Sequence, residues 1–67
     1  MNFSAKNLIR LLESKGYVFK RSSGSHHIYY NPITNSTITV PVHGNKDLAK
    51  GTFYTILKQA GIERNEL

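Results

Sequence analysis

Three histidines stand in a chain of 67 residues, two of them adjacent in Gly24-Ser25-His26-His27 and the third in Pro41-Val42-His43-Gly44. An imidazole can ligate a metal or move a proton, and the spacing bears on which. Neighbouring residues of a strand point to opposite faces, so His26 and His27 are badly placed to grip one ion. The chain has no Cys, the commonest ligand of structural zinc. Magnesium needs converging carboxylates, and residues 1–62 carry only Glu13, on a helix flank, and Asp47, in a loop. Neither a metal site nor a cofactor is expected. The chemistry left to such residues is metal-free cleavage of a phosphodiester. A histidine takes the proton of a ribose 2′-hydroxyl, or gives one to the leaving 5′-oxygen, while cations stabilise the phosphorane. The route is confined to RNA, and imidazole suits it because its ordinary pKa of about 6.5 puts both protonation states within reach.

Cations are plentiful. Nine Lys+Arg oppose four Asp+Glu, for a formal charge of +5, and residues 1–62 hold eight of the bases against two acids. Such a balance attracts nucleic acid, an anionic membrane surface or an acidic protein. Lys20 and Arg21 precede the Ser22-Ser23-Gly24-Ser25 connection and extend the basic surface toward His26. Gly24 and Ser25 let a phosphate approach the backbone closely, although Ser-Gly runs are also ordinary turn chemistry. Lys46 and Lys50 flank the start of a second helix, whose free amides favour a phosphate; the plain alternative is a solvated basic loop. His26 shares strand parity with Ile28 and Tyr30, which also allows a core histidine at the sheet's rim. His27 pairs in parity with Tyr29 as a solvated strand residue, and His43 either anchors its loop or assists as an auxiliary. Tyr17, Phe19, Tyr29 and Tyr30 could stack on bases, but strand aromatics more often fill a core.

The elements that must position these groups follow from periodicity. Ser4 is an N-cap, and Ala5, Leu8, Ile9 and Leu12, widened by Leu11, form the apolar stripe of a first helix that Lys15-Gly16 ends. Tyr17 to Arg21 reads as a strand, Ser22 to Ser25 as a tight connection, and His26 to Asn31 as a second strand. Pro32 to Ser36 is a turn. Thr37 to Val42 alternates Thr37/Thr39 with Ile38/Val40/Val42, a third strand with one dry face. After a polar loop from His43 to Lys50, the residues Phe53, Ile56, Leu57 and Ala60 mark a second helix that Gly61 ends, and Ile62 to Leu67 adds a short turn. The expectation is one α+β domain over residues 1–67, α-β-β-β-α, with two helices on one face of a three-stranded antiparallel sheet. That is the layout of a double-stranded RNA-binding domain. A core of this size supplies only ~3–5 kcal/mol, and without disulfides a reducing interior or a partner protein fits best. No apolar run is long enough for a membrane span and no secretory leader is evident, so a cytoplasmic location is expected.

Taken together these residues resemble the HicA toxins of HicAB toxin–antitoxin systems, nearly end to end. The motifs are Lys15-Gly16-Tyr17-Val18-Phe19, Gly24-Ser25-His26 followed by His27-Ile28-Tyr29, and Val40-Pro41-Val42-His43, then a helix running Gly51-Thr52-Phe53-Tyr54-Thr55-Ile56-Leu57-Lys58-Gln59-Ala60-Gly61. The resemblance implies a double-stranded RNA-binding-like fold, ribosome-independent cleavage of messenger RNA, and neutralisation by a HicB-type antitoxin that covers His26. The family's catalytic histidine directly follows Gly-Ser, which selects His26 over His27. Ala49-Lys50 stands where members often carry Lys-Pro, and Phe53-Tyr54 where Leu-Arg is common, so the basic surface near the second helix is poorer. Two functions follow: a metal-independent endoribonuclease toxin acting through His26, or a binding module that holds RNA or a partner without cutting.

Overall fold

The computed structural model describes residues 2–44 and 46–63. The chain runs α1 (Ala5–Ser14), β1 (Val18–Ser23), β2 (His26–Asn31), β3 (Ser36–Pro41) and α2 (Lys50–Gln59). Helix α1 starts where the sequence places it: Ser4 is extended, and its Oγ accepts the Asn7 N–H at 3.1 Å. At the other end Gly16 takes φ +94°, which lets the Gly16 N–H reach the Glu13 carbonyl at 3.1 Å and the Tyr17 N–H reach that of Leu12 at 3.1 Å. These two bonds satisfy carbonyls the helix itself leaves open and reverse the chain into β1.

The three strands form an antiparallel meander in the order β1-β2-β3. Strand β1 begins one residue later than periodicity suggests and runs two residues further, to Ser23, because the hairpin closes on Gly24-Ser25 alone. Gly24 has φ +60°, the mirror-image geometry that matches strand twist in a two-residue turn. Register shifts between Phe19 and Arg21, so that Lys20 is an extra residue and Arg21 pairs with Ile28 instead of His27. At the far end of the sheet, Asn31 is buried. Its Nδ2 donates to the Lys15 carbonyl at 3.0 Å and its Oδ1 accepts the Ile33 N–H at 2.9 Å, tying the end of α1 to the β2–β3 turn.

Both helices cover one face. Leu8, Leu12, Phe53, Ile56 and Leu57 pack on Tyr29, Ile38 and Val40, with Tyr17, Leu48 and Ile62 closing the edges. The loop between β3 and α2 is held down by the Leu48 N–H on the Phe3 carbonyl at 2.8 Å and by a bridge between Ser4 and Asp47. Strand β1 lies beyond this cover: all six of its residues are exposed, Val18 and Phe19 at 53% each. Of the expected terminal turn, residues 64–67 lie outside the described residues, while Ile62 is buried. No described helix is long and apolar enough to cross a membrane.

Candidate active site

Parity and register decide where each histidine points. Tyr29 pairs with Ile38, and His27 with Val40, so His27 belongs to the helix-covered side. It is half-buried there, its ring edge-on to Phe19 with centroids 5.8 Å apart. His26 pairs with Pro41 on one side and Ser23 on the other, on the opposite, open face, and is exposed. The core-histidine alternative for His26 is thereby excluded, and His27 is more enclosed than a solvated strand residue.

The open face carries two cations of β1, Arg21 and Lys20, at increasing distance along the sheet from His26. The shift in β1 register moves Arg21 to this face, opposite Ile28, two pairs along from His26 and Ser23. Lys20 Nζ lies 5.5 Å from the Tyr30 ring centroid on the same face, a cation–π contact that steadies the ammonium without neutralising it. The ladder continues past β3, with the Val42 N–H donating to the Ser25 carbonyl at 2.7 Å. His43, the next residue, thus follows directly on the strand segment tied to the Gly24-Ser25 turn, and it is exposed. The Lys46 N–H then bonds the His43 carbonyl at 3.1 Å, closing a turn through Gly44 at φ +59°.

Lys46 and Lys50 are both exposed but do not join this group as a single patch. Lys46 lines a groove against α1, and Lys50 is the first residue of α2, whose N-cap Ala49 makes no side-chain capping bond and whose first turn holds no acid. Among the described residues no three His, Cys, Asp or Glu side chains stand close enough to share a metal ion. Of the aromatics weighed as base-stacking platforms, Tyr17 and Tyr29 are core, Tyr30 is half-buried on the open face and Phe19 is exposed. Burial, and then the Glu13 carboxylate, raises the Tyr29 phenol above its ordinary pKa, so it stays neutral. Lys6 and Arg10 escape a reading of the sequence alone: both are exposed on α1 and both line the Lys46 groove. Their four-residue spacing is a visible signal, but nothing local shows which loop faces them.

A three-stranded antiparallel sheet with two helices on one face, and basic and imidazole side chains along the other, defines a small α+β protein of the double-stranded RNA-binding-domain type. No curated protein sequence matches the chain significantly. A family model does: that of the HicA toxin of bacterial toxin–antitoxin systems matches residues 5–62, and the chain belongs to this family. It is therefore a toxin with an antitoxin partner.

Proposed function

We infer that the chain is a metal-independent endoribonuclease that cleaves messenger RNA, with His26 as its acid–base residue. The observation that carries this reading is the exposure of His26 on the open face, at the end of a hairpin whose turn offers Gly24 and Ser25 and whose β1 shift brings Arg21 onto the same face, two pairs along. An RNA strand laid along that end meets an imidazole and cations together. The ribose 2′-oxygen attacks the adjacent phosphorus as its proton leaves to a base, and the bond to the 5′-oxygen breaks as that oxygen gains a proton. His26 serves one of these transfers with His43 as an auxiliary, Arg21 stabilises the charge on the phosphorane, and Lys20, held over Tyr30, binds a phosphate further along the sheet. Lys46 and Lys50 hold phosphates further along the strand, beside the free amides of α2. A HicB-type antitoxin silences the enzyme by occluding His26, and the cytoplasm is where both transcript and partner are met.

The test is cleavage of a transcript by purified chain in excess EDTA, compared across the parent, His26→Ala and His27→Ala. A positioned acid–base group is worth about 10²–10⁴ in rate. His26→Ala should lose that factor while keeping its fold and RNA affinity, and His27→Ala should retain most activity if correctly folded. Cleavage abolished by EDTA, or a His26→Ala chain as fast as the parent, overturns the mechanism. RNA binding with no cleavage in the parent leaves the binding-module function in its place.

A further inference from the structure

On the helix side, away from His26, a groove of about 600 Å³ separates α1 from the segment that leaves β3. Ala5, Ile9 and Val42 make its apolar floor, and Lys6, Arg10 and Lys46 stand on its rim, with Glu13 at the end of the α1 stripe. Ile9 and Val42 are packed against the core yet only partly buried, so they present hydrocarbon that the fold does not cover. Lys6 and Arg10 lie one helical turn apart, and Lys46 belongs to the opposite wall, so cations border the groove on both sides.

We propose that this groove seats an acidic amphipathic segment of the antitoxin, an aliphatic side chain on the floor and carboxylates on the rim. The inference rests on the antitoxin partnership that family membership brings, and not on the cleavage chemistry. Two features select a protein segment over RNA. A ribose-phosphate strand gains little from a dry apolar floor, whereas an aliphatic side chain is recognised by one. Three cations against one carboxylate then set the sign of the occupant's polar groups. The groove also shares the 42–46 segment with the hairpin end: Val42, on its floor, donates its N–H to the Ser25 carbonyl next to His26. A partner anchored on the helix side is thus held within one strand's width of the open-face site, and part of it can wrap that end without depending on contacts to the imidazole itself.

The experiment is calorimetric titration of the chain with its cognate antitoxin, using Lys6→Glu/Arg10→Glu as the variant. Both side chains are exposed, and circular dichroism checks that the fold is kept. RNA binding by the free chain is measured in parallel. Antitoxin affinity at least about tenfold weaker, with RNA binding within about twofold of the parent, is the expected result. Unchanged antitoxin affinity overturns the proposal, and so does a loss confined to RNA binding, which makes the groove a nucleic-acid surface. Should both fall, amide exchange in the parent complex decides: protection at Ala5 to Arg10 and at Val42 to Lys46 supports the seat, and its absence removes it. Because the antitoxin titration needs no cleavage, its outcome stays separate from the fate of the nuclease reading.

Discussion

Replacing Asn31 by Ala tests whether the domain is held by its polar tie as much as by its core. The side chain is 3% exposed and makes two bonds of good length, 3.0 Å to the Lys15 carbonyl and 2.9 Å from the Ile33 N–H. A third contact, from the Thr34 N–H, is 3.4 Å long and is counted as nothing. At about 1 kcal/mol net for each good bond, the substitution costs about 2 kcal/mol. No further penalty is added at Ile33, which is 86% exposed and can turn its N–H to water. Against a total of ~3–5 kcal/mol for a core of this size, that is a large fraction. It corresponds to a fall in Tm of about 8–16 °C. Thermal and urea unfolding followed by circular dichroism give the measurement, with Ile33→Ala as a control in the same turn that should stay within about 0.5 kcal/mol of the parent. Asn31 and His26 occupy opposite ends of β2, so cleavage per folded molecule should be unaffected. If Asn31→Ala costs no more than Ile33→Ala, the tie between α1 and the β2–β3 turn does not carry the energy assigned to it.

Two further outcomes are expected. If Lys20, Arg21, Lys46 and Lys50 all meet phosphates, log affinity for single-stranded RNA falls with log salt at a slope of about −3, and each Lys or Arg to Ala change removes about 0.7 of it; a flat response in fluorescence anisotropy refutes the phosphate contacts. Burial, aided by Glu13, raises the Tyr29 pKa above 10.0, so its contribution to stability is intact below about pH 10 and is lost as pH rises through the folded-state value. Tm should drop less steeply above pH 10 in Tyr29→Phe than in the parent, and parallel curves for the two chains would rule the linkage out.

The order of elements is legible because each carries its own local signal: the Ser4 cap, the Lys15-Gly16 stop, the alternation of Thr37 to Val42, and the helical spacing of Phe53, Ile56 and Leu57. The face on which His26 lies is not. In His26-His27-Ile28-Tyr29-Tyr30-Asn31 both parities contain apolar residues, so β2 alone does not say which side is dry. Strand β3 does, through Ile38 and Val40, and its dry side is passed to β2 only by pairing: Tyr29 opposite Ile38 and His27 opposite Val40 put His27 inside and His26 out. The β1 shift is equally invisible in Val18-Phe19-Lys20-Arg21, where unbroken alternation would have carried Arg21 to the helix side with His27. One extra residue thus decides whether a guanidinium stands on the same face as the candidate catalytic imidazole. The groove follows the same logic, since Lys6 and Arg10 are an unremarkable pair of surface bases until the chain leaving β3 brings Val42 and Lys46 across from them. What the local sequence withholds is which residues meet across the fold, and both candidate surfaces of this toxin, the open face and the helix-side groove, are made of such meetings.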